Sequence, residues 1–181
     1  MRRTKRWEPV ATDRELLTEH LFYEIQMTFF LAGQVESQAG SRIDVSVLNA
    51  QIEAFDMHLV QLLEFFWRER QRTGAHRDAF AADYFPDGEW ARLRPELPPI
   101  LGKALRQHGS WGTTRLTYER AWVRPVDKVW DVVTQAFALA KVVERFVATV
   151  DHSQFTPGYA NGMRMCADVF VSGKRGSARA A

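Results

Sequence analysis

Leu48-Asn49-Ala50-Gln51-Ile52-Glu53-Ala54-Phe55-Asp56-Met57-His58-Leu59-Val60-Gln61-Leu62-Leu63-Glu64-Phe65-Phe66 decides the fold. Its large apolar residues Leu48, Ile52, Phe55, Leu59, Leu62 and Phe66 are spaced four, three, four, three, four. A helix with 3.6 residues per turn lines such positions on one face, whereas a half-buried strand needs alternation at two. The spacing predicts a long helix with a core seam. Asp44 or Ser46 can cap its start, and it frays in Arg68-Glu69-Arg70-Gln71-Arg72 ahead of Gly74.

The same reading extends to either side. Upstream, Thr12 or Asp13 can cap a helix that carries Glu15 in its first turn, where the dipole favours an anion. Leu17, Leu21, Ile25 and Thr28 form its stripe, Phe22, Phe29 and Phe30 widen it, and Gly40-Ser41 follows its end near Gln38. Downstream, Val129, Val133, Ala136, Ala140, Val143, Val147 and Val150 alternate four and three, with Trp130, Phe137 and Phe146 on the flanks. They predict a helix over 126–150, opened by Pro125.

Between the second and third long helices, Pro86, Pro95, Pro98 and Pro99 exclude one continuous helix, and Asp87-Gly88 reads as a turn. A short helix fits Asp78–Tyr84. Another follows Pro99 through Leu105 and stops before Gly109, and a further segment runs from Thr114 to Trp122. Pro157-Gly158 ends regular structure, and Met163–Val171 forms a short closing element. The expected architecture is all-α, a four- to five-helix bundle with a Pro-broken middle. Residues 12–171 make one domain, between a basic disordered tail at 1–11 and a disordered tail at 172–181.

Composition agrees with one packed domain. The chain has 181 residues, 46% apolar and 25% charged, with six Trp and twelve Phe to fill a core. Net charge is +2, yet seven of the 24 Lys and Arg lie before Trp7 or after Gly173. The body between therefore holds 17 basic against 22 acidic residues, which argues against a nucleic-acid surface across it. Arg outnumbers Lys 19 to 5, a bias associated with GC-rich bacterial genomes. Cys166 is the single cysteine and cannot form an intramolecular disulfide, as suits a reducing cytoplasm. The most apolar stretch, Leu21–Ala32, is interrupted by Glu24 and Gln26 and is too short to span a membrane.

The chemical motifs are sparse. No phosphate-binding Gly loop, nucleophile elbow or zinc spacing is present, and no His has Glu three residues before it as a di-iron bundle requires. No metal or cofactor is expected. Cys166 reads as a small buried hydrophobe. Polar residues that sit beside the apolar stripes are the candidates. Tyr23 and Glu24 on the first helix, His58 on the second and Arg120 form a candidate polar cluster. They either converge in a cleft as acid, base or binding groups, or serve as hydrogen-bonded boundary residues, with Glu24 paired to an Arg. Arg115 and Arg120 are candidate contacts to an anion or RNA, or partners of acidic residues such as Glu24 or Asp83.

Glu19-His20-Leu21-Phe22-Tyr23-Glu24-Ile25-Gln26-Met27 resembles the first helix of a family of small bacterial helical proteins. Asn49, Glu53-Ala54-Phe55, His58 and Phe65-Phe66 resemble its second helix. Asp83-Tyr84-Phe85, Trp90, Leu116-Thr117-Tyr118-Glu119-Arg120 and Trp122 fit as well. The pattern is similar to the wider HEPN superfamily, helical bundles that include RNA-cutting toxins and defence nucleases. Their motif is an Arg separated from a downstream His by four to six residues. The resemblance implies RNA cleavage by 2′-hydroxyl attack in a dimer that pairs two such motifs. Arg14/His20, Arg70/His76 and Arg145/His152 meet the spacing, but none has Asn, Asp or His after the Arg. Val60 stands where the smaller family carries Arg, and Arg115 where it carries His. Two expectations follow. One is a non-catalytic bundle acting through self-association, as a homodimer, or through another protein. The other is a HEPN-like ribonuclease or RNA-binding protein of a defence or toxin–antitoxin system.

Overall fold

The computed structural model describes residues 9–38, 44–68, 78–111 and 131–177, with side chains for all but 107–111 and 173–177. Six α-helices and no strand occur among them: α1 (Ala11–Ser37), α2 (Val45–Trp67), α3 (Glu89–Leu93), α4 (Pro99–Trp111), α5 (Val132–Thr149) and α6 (Tyr159–Ser177). The expected all-α bundle is what forms. None of the described helices is long and apolar enough to cross a membrane.

α2 holds the centre. Phe55, Leu59, Leu62 and Phe66 of its seam are fully buried, while Leu48 and Ile52 near its start are half-buried. Asp44 caps it by accepting from the Ser46 amide at 2.8 Å. α1 lies antiparallel to α2, since Glu24 meets His58 while Leu17 and Leu21 lie near Leu62 and Phe65. α6 runs parallel to α1: Phe22 meets Tyr159 and Phe29 meets Phe170. α5 packs against α1, α2, α4 and α6, which closes the bundle. Thr18 and Thr28 are buried on α1 because their hydroxyls donate back to the carbonyls of Arg14 and Glu24.

The Pro-broken middle has a structural purpose. A helix end leaves carbonyls without partners. At the end of α2 the Trp90 indole donates to Phe66 O (2.8 Å) and the Arg94 guanidinium to Trp67 O (2.9 Å), while Trp67 Nε1 donates to Pro95 O (3.2 Å). α2 therefore stops at Trp67, and Arg68 is already extended. Tyr84, in a 3₁₀ turn over Ala81–Tyr84, donates its hydroxyl to Arg14 O and ties the segment to α1. Phe146 of α5, which the sequence places on a flank, is instead the centre of an aromatic cluster. It packs against Phe65, Phe66, Tyr84, Phe85, Trp90 and Phe155, with ring centroids 5.5–6.1 Å away.

Several boundaries move. The third long helix begins at Val132, where the Asp131 carboxylate accepts from Thr134 N, so the 126 start is not seen; residues 126–130 lie outside the described residues. α3 was not anticipated and opens at Gly88, whose φ of 74° suits glycine. α4 passes through Gly109 to Trp111. α6 is the largest correction. Residues 172–177, expected as disordered tail, continue a helix whose buried Met163, Ala167 and Val171 recur every four residues along one face. The Gly40-Ser41 break, the 69–72 charge run, the Thr114–Trp122 segment and residues 1–8 and 178–181 lie outside the described residues.

Candidate functional site

Glu24 precedes the buried Ile25 on α1, and His58 precedes the buried Leu59 on α2. Each therefore sits on the shoulder of a core stripe, and antiparallel packing brings the shoulders together. His58 Nδ1 lies 2.6 Å from Glu24 Oε2, with the two side chains only 16% and 20% exposed. An ionised carboxylate only accepts, so opposite one the imidazole donates Nδ1–H. The Tyr23 ring stands edge-on to this imidazole, centroids 5.7 Å apart at 77°. Three of the four members of the expected cluster thus meet. Among the described residues, the partner of Glu24 is His58. Arg120, and Arg115 with it, lie outside the described residues.

Beside the pair, a cleft of about 510 Å³ opens between α1, α2 and the extended entry to the 3₁₀ turn. Its floor is apolar (Leu21, Leu62, Phe65, Phe80) and its rim carries His20, Glu24, Glu64, Arg68 and Asp78. Arg68 bridges Glu64 (3.4 Å) and Asp78 (3.7 Å). Among the described residues no three His, Cys, Asp or Glu side chains are grouped to hold a metal ion.

Of the Arg/His pairs within the described residues, both members of Arg145/His152 hold the fold, and of Arg14/His20 only the Arg does so. Arg145 Nε donates to Leu93 O, and the His152 ring lies 2.7 Å from Val147 O. Arg14 Nη1 donates to Pro9 O, while His20 lines the cleft. Arg70 and His76 lie outside the described residues.

Two features escaped the sequence reading. Asp56 is 1% exposed in the middle of α2, a buried carboxylate engaged by its surroundings. Its place beside Phe55, four residues after Ile52, was the available signal. The second is the outer face of α1. Leu16, His20, Tyr23, Met27, Phe30 and Gln34 are spaced four, three, four, three, four, a seam on the side away from Ile25 and Ala32, in which Gln34 is half-buried and Met27 packs partly against the core. Leu16 is 68%, Tyr23 49% and Phe30 56% exposed, so Phe30 does not widen the core stripe as expected. Apolar residues all round α1 were the sign of it. Along its C-terminal half, Phe30 and Gly33 border a groove of about 530 Å³ shared with Met165, Cys166 and Val169 of α6. Burial pushes the Cys166 thiol above its ordinary pKa, so it lacks the thiolate character of a nucleophile.

No protein-family model, curated protein or solved structure matches this chain. The HEPN resemblance therefore rests on the residues quoted for it.

Proposed function

We propose that this chain is a non-catalytic helical-bundle protein that acts by association, with the outer face of α1 as its contact surface. One observation carries the reading: Leu16, Tyr23 and Phe30, seven residues apart, are about half or more exposed on one side of a helix whose opposite side is already buried. The groove beside α6 extends that surface with Met165 and Val169, both more than half exposed. The unpaired Cys166 and the absence of a membrane-crossing helix among the described residues fit action in the cytoplasm. The test is tagged protein purified from cells that make it, compared with Tyr23→Glu/Phe30→Glu by sedimentation velocity and native mass spectrometry. The native chain is expected in a stoichiometric assembly, with itself or with another protein. The variant should keep its helicity and lose the assembly. A native chain that stays monomeric and alone refutes the reading.

The Glu24–His58 pair favours a second reading, a HEPN-like ribonuclease or RNA-binding protein. Glu24 lines the cleft and holds the His58 imidazole, and a carboxylate that orients an imidazole is the arrangement of a general base. Incubation with total RNA beside His58→Ala and Glu24→Gln tests it. Cleavage lost in His58→Ala supports it, and absence of both cleavage and binding at low salt removes it.

A further inference from the structure

We infer that the groove between α1 and α6 is a binding site for a small, uncharged molecule with an aromatic body. The groove adjoins the contact face proposed above, but binding here does not require association through that face.

The walls set the chemistry. Buried Phe29, its ring centroid 5.4 Å from that of Phe170, lies at the bottom. Phe30 on α1 and Met165 and Val169 on α6 line the sides and are more than half exposed. Aromatic rings and a thioether receive an aromatic ring well, through edge-to-face and sulfur–ring contacts. Gln26 and Gln34 add two neutral amides, each able to donate and accept. Among the described lining residues there is no Lys, Arg or His, and Glu36 is exposed and already engaged by its surroundings. A carboxylate or phosphate finds no cation here, so the fitting ligand carries no charge.

Size points the same way. The volume of about 530 Å³ lies within the roughly 300–1,000 Å³ of sites that hold small organic ligands. Ten described residues line it, against the roughly 20–30 that each side gives to a standard protein interface. A body of one or two rings matches the groove taken by itself.

Gly33 points to the same occupant. Glycine costs a helix interior more than any residue except proline. Folds accept that cost for a positive φ, or where another group comes close to the backbone. Among the described glycines the positive φ values belong to Gly88 and Gly158, and α1 continues past Gly33 to Ser37. Nor is Gly33 crowded from within. A Cβ there meets nothing within 4 Å, whereas one at Gly162 would sit 2.8 Å from the Phe22 ring. Gly33 lines the groove, so the space left by its missing side chain belongs to the groove. A flat molecule lying against the α1 backbone gives this glycine a purpose that internal packing does not.

The test uses the full chain, with naphthol as the probe and naphthoate as its charged counterpart, in equilibrium dialysis. The expected result is saturable one-to-one binding of naphthol with a Kd of about 1 mM or tighter, and binding of naphthoate weaker by at least about tenfold. Gly33→Leu places a side chain in the groove and improves helix propensity. It should weaken naphthol binding at least about tenfold while the melting temperature holds or rises, a combination that damage to the fold does not produce. Gly33→Ala, which adds one methyl group, should weaken binding less. Cys166, the single cysteine, lines the groove and reports location: naphthol should slow its alkylation by iodoacetamide in proportion to occupancy. No saturable binding up to about 2 mM overturns the site. Binding that is untouched by Gly33→Leu, or that leaves Cys166 unprotected, places the probe elsewhere and overturns it equally. Equal affinity for naphthoate overturns the assignment to uncharged ligands. A protein retained by the native chain and released by Gly33→Leu, with no naphthol bound, makes the groove part of a protein contact and overturns the ligand site while leaving the association reading standing.

Discussion

Phe146→Ala should remove more stability than any other single truncation in the bundle. Phe146 is fully buried, and its ring meets α2 through Phe65 and Phe66, the Pro-broken middle through Tyr84, Phe85 and Trp90, and the α5–α6 connection through Phe155. Alanine deletes roughly 100 Å³; at about 24 cal/mol per Å³ of cavity, that volume alone costs ~2.4 kcal/mol if the site does not collapse. Loss of apolar transfer adds about 2 kcal/mol, so the total is ~4 kcal/mol, inside the range for Phe→Ala in cores. For a domain of this size the melting temperature should fall by about 8–16 °C. Phe146→Leu keeps most of the volume and loses the ring edges, so it should cost about 1–2 kcal/mol. Urea unfolding followed by far-UV circular dichroism measures both, with the slope unchanged and the midpoint shifted. A cost below ~2 kcal/mol for alanine, or equal costs for leucine and alanine, would refute the volume argument.

A Cβ at Gly162 would sit 2.8 Å from Phe22 Cε2, so Gly162→Ala should destabilise by about 1–3 kcal/mol. Gly33→Ala meets nothing within 4 Å inside α1 and should be neutral or stabilising by up to ~1 kcal/mol in the same assay. Burial, then the neighbouring Asp83, raises the Tyr84 pKa, so stability tied to its neutral phenol is complete below about pH 10 and is lost as pH rises further. Tyr84→Phe should flatten that alkaline decline in a pH series of unfolding midpoints. Ser46 hydrogen bonds hold the Asp44 carboxyl below its usual pKa, as the Ser153 amide does for Asp151. Their contribution is present above the ordinary carboxylate pKa and is lost as pH falls through the lowered one; a Ser46 amide protection factor that falls with pH below the ordinary carboxylate range, and loses this dependence in Asp44→Ala, would report it. In a double-mutant cycle, His58→Ala and Glu24→Gln should show about 1 kcal/mol of coupling, and additivity would mean the pair does not interact.

Helix periodicity made much of this fold legible. Where one face alone was apolar, as in α2, the seam from Phe55 to Phe66 was readable because burial on that face dominates every other preference. The endpoints were less legible, because tertiary donors set them. Trp90 and Arg94 stop α2 from sequence positions some 25 residues away. Phe146 read as a flank because spacing identifies a face and not which neighbours converge on it. At the site, Glu24 and His58 were found from their shoulder positions, but their mutual bond depends on an antiparallel packing that no local pattern encodes. The outer seam of α1 was missed because a helix apolar on two sides gives no single stripe. Asp56 was missed because a lone carboxylate in a helix is ordinarily solvated.

The parallel contact between α1 and α6 has a consequence for synthesis. Phe22 and Phe29 are covered by Tyr159, Gly162 and Phe170, roughly 140 residues downstream. At about 5–20 residues per second, a nascent chain waits on the order of 10 s between making α1 and making its cover. During that interval α1 is bare on this side as well as along its outer seam. Chaperone capture of ribosome-bound chains should therefore concentrate on α1 and end as α6 emerges.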